Sequence, residues 1–196
     1  MGVIMDRKWK IGLCVAGLFM LMVLIGESSS TKTTQTMATT NSTARNGDVA
    51  WLTWLKIELT MIEHDSGMIT KAANADDQED LYYYVKQFDT DIKTAIEAES
   101  AYYTTGRLSN ARQDWMDALE DYKTSVDLIL EGYNSNHVIV NPDKLIKGNV
   151  KMQDGTAHLG TMSIQLTNCP GHARCVSPTT FQGYKASVDM ILKEYN

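Results

Sequence analysis

Residues Tyr122–Asn134 read YKTSVDLILEGYN, and nearly the same sequence, YKASVDMILKEYN, recurs at Tyr184–Asn196. Nine of the thirteen positions are identical. The shared positions include polar residues such as Ser125 and Ser187, which an apolar helix face does not require. Common origin explains this better than convergence on a helical pattern. An internal repeat restricts the architecture before any other feature does, and this one predicts a duplicated helical unit.

Apolar residues recur at spacings of three and four through most of the chain after Asp48, which is the pattern of helices that bury one face. No alternating pattern of comparable length predicts a strand. We expect Asp48 to cap the first helix, Asp76 or Asp77 to open the second, and the Asn141-Pro142 pair to open the fourth. The predicted helices are 48–75, 76–105, 109–133, 142–166 and 178–195.

Two local features refine these helices. Gly148 and Gly155 lie inside the fourth helix, where each glycine costs about 1 kcal/mol relative to alanine. They indicate a close approach of another backbone, or a kink near Gly155. Asn134 follows the third helix and is expected to end it in a left-handed conformation.

The fold class that follows is all-α, an antiparallel up-down bundle of four to five helices. The duplication is expected to be a helical hairpin, with residues 76–134 copied as 142–196. Short connections make neighbouring helices antiparallel. We therefore expect the turn at 104–107 and the cysteine-containing loop to share one end of the bundle, and the 134–141 loop and the C-terminus to share the other. Whether helix 48–75 belongs to the main bundle stays open.

Residues 1–27 resemble an export signal. Arg7, Lys8 and Lys10 precede fifteen uncharged residues from Ile11 to Ile25, and small polar residues follow. Fifteen helical residues span about 22 Å, which is shorter than a hydrocarbon core of about 30 Å. The segment is either a cleaved signal peptide or a signal-anchor helix, and we favour an anchor that inserts through residues 9–26. The protein is therefore expected outside the cytoplasm, membrane-anchored or secreted.

Residues 28–47 are expected to form a disordered linker. Eleven of the sixteen residues from Ser28 to Thr43 are serine or threonine, so this stretch has too little apolar surface to fold. Such a composition is typical of stalks that carry O-linked sugars. Asn41 begins an Asn-Ser-Thr sequon and is a candidate N-glycosylation site. The folded domain is expected at 48–196.

The charge of the folded part excludes one class of partner. Beyond residue 44 the chain carries 14 basic and 22 acidic side chains, a net charge of −8. Binding to nucleic acid requires a basic surface that neutralises phosphates. Nucleic acid is therefore not an expected partner, whereas a protein or a cell-surface polymer is. The oligomeric state cannot be predicted.

Cys169 and Cys175 flank a turn that contains His172. In an exported protein two cysteines in one loop most simply form a disulfide, which here would link helices four and five. The alternative is a metal site made by Cys169, His172 and Cys175. Zinc usually requires a fourth strong ligand and a different cysteine spacing, so we predict the disulfide and no metal or cofactor.

Candidate contact residues lie in two places. Three consecutive tyrosines, Tyr82, Tyr83 and Tyr84, cannot all face the core, and exposed aromatic side chains often anchor a partner. The 134–141 loop carries apolar residues in an otherwise polar connection, which either contact a partner or fold back onto the core. These loop residues are His137, Val138, Ile139 and Val140.

No motif in the sequence predicts catalysis. His64 and His158 lie on helices that could face each other, but neither belongs to a Glu-x-x-His motif of di-metal bundles. No phosphate-binding loop occurs, and no nucleophile lies near a base in sequence. We expect an extracytoplasmic helical interaction module that is not an enzyme. The alternatives are a ligand-binding or sensory bundle that acts through another chain, and the metal-binding loop described above.

Overall fold

The structure, a computed structural model, describes residues 42–167 and 180–195. The described residues form a bundle of five helices, the first four of which alternate in direction, which confirms the all-α prediction. Within the described residues the only β-type pairing is an isolated bridge between Tyr133 and Ile139. The helices are α1 (Ser42–Asn74), α2 (Gln78–Glu99), α3 (Ser109–Glu131), α4 (Pro142–Leu166) and α5 (Phe181–Tyr195).

Most helix boundaries lie where the capping residues predict them. Asp77 is the N-cap of α2, and its side chain accepts a hydrogen bond from the backbone N–H of Asp80 at 3.0 Å. Ser109 begins α3, and Pro142 opens α4 after Asn141. These positions suit their residue types, because Asp satisfies a free N–H and Pro lacks one.

The start of α1 differs from its prediction. The helix begins at Ser42, so Asp48 lies inside it and does not cap it. The Asp48 carboxylate is buried and accepts three hydrogen bonds from other elements. The donors are the backbone N–H and the hydroxyl of Thr105, both at 2.7 Å, and the hydroxyl of Tyr195 at 2.6 Å. Asp48 thus joins α1 to the α2–α3 connection and to α5.

The end of α3 also differs. Asn134 does not adopt the left-handed conformation, which occurs instead at His137 (φ 59°) and, before α2, at Asp76 (φ 55°). The side-chain oxygen of Asn134 accepts hydrogen bonds from the backbone N–H groups of Asn136 and Val138 at 2.9 and 3.0 Å. Asn134 therefore shapes the loop through its side chain rather than through its backbone.

The most extensive helix contact joins α3 to α4. A Cβ atom at Gly148 would lie 2.5 Å from Ile129 Cγ1 and 2.8 Å from the carbonyl oxygen of Ser125. A Cβ atom at Gly155 would lie 2.9 Å from the Tyr122 ring. The glycines thus allow the two helices to approach closely, as the sequence predicts.

The direction of α5 was predicted wrongly. Pairs between α1 and α5 run in opposite senses: Lys56 contacts Asp189 at 2.6 Å, Glu63 pairs with Lys185, and Asp48 accepts from Tyr195. On α4, Thr156 faces Tyr184 and Ser163 faces Ser187, so α5 runs parallel to α4. The α4–α5 pair therefore does not have the antiparallel geometry of the α2–α3 hairpin.

This direction changes which segments share an end of the bundle. The C-terminal end of α5 lies beside the α2–α3 connection, where Glu194 pairs with Arg107 at 2.5 Å. At the opposite end the 134–141 loop lies beside the start of α2, where the Gln78 side chain accepts a hydrogen bond from the backbone N–H of Ile139 at 3.3 Å. The C-terminus was expected at this end too, and that prediction was wrong. The contacts of α5 with both α4 and α1 close the five helices into a ring.

The repeated segments occupy partly comparable surroundings. Tyr122 on α3 shares a hydrogen bond of 3.1 Å with the Thr156 hydroxyl, and Tyr184 on α5 donates to the Thr156 carbonyl at 3.4 Å. Both copies therefore direct their tyrosine to the same residue of α4.

The repeated lysines point away from α4. Lys123 pairs with Asp127 on its own helix and lies 4.0 Å from Asp89 on α2, whereas Lys185 pairs with Glu63 on α1. Both copies thus combine a core-facing tyrosine with a lysine in an ion pair, but only Lys185 pairs directly with a neighbouring helix.

Several predictions concern residues outside the described ranges. These are the export segment 1–27, the linker up to Asn41, and the loop with Cys169, His172 and Cys175, so the disulfide and its metal alternative stay predictions. Within the ranges that are described, no helix combines the length and the hydropathy that a membrane span needs.

Candidate ligand pocket between α1 and α2

An open pocket with a volume of about 510 Å³ lies between α1 and α2. Residues of each helix that are three or four positions apart lie on one side of that helix, so a short stretch of each supplies one wall. The walls consist of Thr60, Met61, His64 and Asp65 from α1, and Tyr83, Tyr84, Gln87 and Asp91 from α2. The volume lies in the range of small-molecule sites.

Asp65 is the most unusual group in the pocket. The residue is only 7% exposed, and its Oδ2 atom meets no N–H or O–H donor from another residue. Burial raises the pKa of Asp65 most, and a side-chain hydrogen bond with Asp91 on the opposite wall, together with the charge of Asp91, raises it further to about 6, while His64 lowers it. A buried carboxylate without full compensation is costly to the fold. Groups of this kind concentrate at functional sites.

A second acidic residue of α1 adds to the negative charge near the pocket. Glu58 precedes Asp65 by two helical turns and is 9% exposed. Burial raises the pKa of Glu58 most, a hydrogen bond with Trp54 lowers it, and the charge of Asp91 raises it further. Of the groups that shift the pKa of Asp65, only His64 can carry a positive charge. The interface between α1 and α2 thus holds two buried acidic residues, Glu58 and Asp65, whose pKa values Asp91 raises.

The α2 wall of the pocket is aromatic. The rings of Tyr83 and Tyr84 meet edge to face, with centroids 5.4 Å apart and an interplanar angle of 75°. Tyr83 is 61% exposed, which confirms that the three tyrosines cannot all be buried. Aromatic faces attract both apolar groups and cations.

The pocket geometry favours binding over nucleophilic chemistry. Thr60 and His64 lie one turn apart, but the Thr60 hydroxyl donates to the backbone carbonyl of Lys56 at 3.0 Å. A hydroxyl held by its own helix is not paired with a base, as an activated nucleophile has to be. The carboxylate of Asp91 accepts a hydrogen bond of 2.9 Å from Gln87.

The structure divides the predicted contact residues between two places. Tyr83 and Tyr84 line the pocket, whereas Tyr82 stacks on His137 with centroids 3.9 Å apart. Ile139 is half-buried against the core, but Val138 and Val140 are 48% and 60% exposed. Tyr82 and the loop residues His137–Val140 therefore form one surface, here called the loop-end surface.

A second cluster of ionisable groups lies between α3 and α4. Atoms of Asp114, Asp117 and His158 lie within 4.8 Å of one another, close enough to hold a metal ion. His158 is also 3.8 Å from Asp114 and 3.6 Å from Asp121, and Lys151 reaches Asp121 at 2.9 Å. These contacts join α3 to α4, and one oxygen of Asp114, Oδ2, is buried without a hydrogen-bond partner. His64 and His158, which the sequence suggested could face each other, belong to different clusters.

Asp65 is not a candidate site residue on the sequence alone. The neighbouring Ser66 is half-buried, and its hydroxyl donates to the carbonyl of Ile62 at 2.7 Å. A signal was present, because Glu58 and Asp65 lie seven residues apart, and Asp65 lies three residues after Ile62 and four before Ile69. Two acidic residues at that spacing share one face of a helix.

Comparisons of the chain with protein-family models, with curated proteins and with solved structures find no significant match.

Proposed function

We propose that this protein is an extracytoplasmic helical bundle that binds a small molecule in the α1–α2 pocket. The observation that carries this proposal is an open pocket of about 510 Å³ whose walls bring the carboxyl groups of Asp65 and Asp91 together beside two tyrosine rings. A small molecule can contact the carboxyl groups and the rings at the same time. Ligand binding is therefore favoured over the simple interaction module that the sequence suggested first.

The location outside the cytoplasm is proposed on the sequence of residues 1–47 alone. A basic start, an apolar segment and a serine- and threonine-rich stretch support export and a flexible tether. In this proposal the domain carries out no chemistry and passes on the presence of its ligand to another chain. The repeat at Tyr122 and Tyr184 is proposed to descend from duplication of a single helix rather than of a hairpin.

A blocked pocket tests the proposed function. Thr60 is an exposed wall residue, so Thr60→Trp should fill the mouth of the pocket without removing a buried contact. The matched control is Thr53→Trp, because Thr53 is also exposed on α1, two turns earlier, and does not line the pocket.

The measurement is a thermal-shift screen of small molecules against the full chain in detergent. Compounds that raise the Tm of the wild type should lose this effect in Thr60→Trp and keep it in Thr53→Trp. Equal effects of the compounds on both variants would contradict binding in the pocket.

A second candidate function uses the loop-end surface. The exposure of Val138 and Val140 beside the Tyr82–His137 stack favours contact with a protein or a cell-surface polymer. The double variant Val138→Glu, Val140→Glu should then capture fewer partners from the cell surface than the wild type does. The control Asn136→Asp, at an exposed polar position of the same loop, should capture as many. Equal capture by the wild type and the double variant would remove this candidate.

A further inference from the structure

We infer that the ligand of the α1–α2 pocket is a small organic molecule that carries a protonated amine, held by Asp65 and Asp91 and packed against Tyr83 and Tyr84. This inference rests on the proposed function and adds the chemical class of the ligand. The juxtaposition that supports it is a pair of carboxylates from two helices beside two aromatic rings in one pocket.

The hydrogen bonding of Asp65 favours a ligand that carries a donor group. Asp65 Oδ2 meets no N–H or O–H donor from a neighbouring residue, and the Asp65 side chain can hydrogen-bond Asp91 only if one of the two carboxyls holds a proton. A ligand that supplies an N–H or O–H group would remove the cost of burying this atom. A donor is therefore expected, which excludes ligands that have only acceptor groups.

The charge of the pocket walls favours a cationic ligand. Asp65 interacts with a second carboxylate, that of Asp91, and no lysine or arginine lines the pocket. His64, the wall residue that can become cationic, is exposed to solvent. A protonated amine supplies both N–H donors and a positive charge between two carboxylates, and charge-assisted hydrogen bonds are stronger than neutral ones. A neutral alcohol would supply the donor alone.

The other wall residues and the pocket volume indicate that the ligand has an organic body. Tyr83 and Tyr84 form an aromatic wall, and Met61 adds a flexible apolar side chain opposite it. Tyrosine faces attract cations and apolar groups alike. The volume of about 510 Å³ is far larger than a bare ion requires, so the ligand is expected to have an organic body.

A metal ion alone is the competing cation. Where the structure describes the chain, three ligand-type groups close enough to chelate an ion occur at Asp114, Asp117 and His158, and Asp65 is not among them. Two carboxylates without a third ligand suit an ammonium group better than a chelated metal.

The experiment uses calorimetric titration of the full chain in detergent with two matched pairs of probes. Benzylamine is compared with benzyl alcohol, and tyramine with tyrosol, so that each pair differs chiefly in the charged nitrogen. We expect each amine to bind at least tenfold more tightly than its alcohol. The substitution Asp65→Asn should weaken amine binding at least tenfold, whereas Asp143→Asn, at an exposed aspartate of α4, should not change it.

A stability measurement separates loss of the site from loss of the fold. Without a ligand, Asp65→Asn should raise the Tm at neutral pH, because it removes an uncompensated charge. A variant that is more stable yet binds amines poorly supports a ligand-binding role, which a purely structural aspartate would not show.

Three outcomes would overturn the inference, and they can be told apart. If the alcohols bind as tightly as the amines and Thr60→Trp abolishes their binding, the pocket binds ligands and the amine class is wrong. If zinc or magnesium binds and Asp65→Asn abolishes that binding, a metal replaces the amine. If neither the amines nor the alcohols bind, and the thermal-shift screen finds no compound sensitive to Thr60→Trp, the proposed function fails as well.

Discussion

The α3–α4 and α1–α2 interfaces are built in opposite ways. Between α3 and α4, Gly148 and Gly155 bring the two helices so close that an added Cβ atom would collide with the neighbouring helix. Between α1 and α2, the same bundle leaves an open pocket and buries the carboxylate of Asp65 without full compensation.

One of the two interfaces is built for stability, and the other gives up stability at the candidate site. Close packing of apolar and glycine surfaces stabilises a bundle, whereas a half-open interface with buried acids costs stability. Proteins retain such costs mainly at functional sites. Variants at the two interfaces should therefore respond in opposite directions, and four predictions test this, from the largest expected effect to the smallest.

The largest effect is expected at Gly148. The substitution Gly148→Val should reduce the free energy of unfolding by about 3 kcal/mol or more, because the new side chain would meet a backbone carbonyl that cannot rotate away. Chemical denaturation followed by circular dichroism measures this. A loss below about 1 kcal/mol would show that α3 and α4 are not held together as closely as described.

The second prediction concerns Asp65 and pH. Its folded pKa of about 6 lies above the ordinary value of 3.8, so this group stabilises the fold fully below pH 3.8 and the contribution is lost as pH rises through 6. Asp65→Asn should therefore stabilise the protein at pH 7.5 by up to about 3 kcal/mol and give no gain near pH 3.5.

Three ionisable neighbours could obscure this result. Asp91 interacts with Asp65 from α2, and on α1 His64 acts on Asp65 while Glu58 lies two turns away. Because His64 also acts on Asp65, the comparison should be repeated in a His64→Gln background. A gain that is independent of pH would show that the charge of Asp65 is not the cause.

The third prediction compares two buried tyrosines. Tyr122 bonds to the Thr156 hydroxyl at 3.1 Å, whereas the Tyr133 hydroxyl is buried without a hydrogen-bond partner. Tyr122→Phe should cost about 1 kcal/mol, and Tyr133→Phe should be neutral or slightly stabilising. Thermal unfolding of both variants measures the difference. Equal losses would mean that Tyr133 has a partner, such as a bound water.

The smallest effect is expected at Gly67 on α1. A Cβ atom there would meet no atom within 4 Å, so Gly67→Ala should stabilise the protein by about 0.5 to 1 kcal/mol. This variant is also the control for Gly148→Val, because both replace a helical glycine. Destabilisation by Gly67→Ala would indicate that α1 is bent or crowded at this position.

Sequence alone predicts the local structure well because local chemistry decides it. Asp77 and Pro142 mark helix starts through their capping behaviour, and Gly148 and Gly155 predict close packing through their small size. These effects need only a few neighbouring residues. The same applies to the all-α class, which follows from the apolar spacing.

The direction of α5 could not be predicted in this way. An apolar stripe at three- and four-residue spacing is equally compatible with either direction. The decisive contacts, such as Lys56–Asp189 and Asp48–Tyr195, join residues that are far apart in sequence. The pocket could not be predicted for the same reason. In the sequence Asp65 is an ordinary polar helix residue, and only the fold brings Asp91 of another helix opposite it.

The way in which α5 closes the ring has a consequence for the kinetics of folding. Helices α1 to α4 can assemble through neighbours in sequence, but Lys185 reaches Glu63 across 122 positions. Contacts between such distant residues form late, because a long loop has to close first. We therefore expect α5 to dock last and to be the first helix whose amide hydrogens exchange with solvent, while the α3–α4 pair retains its protection longest.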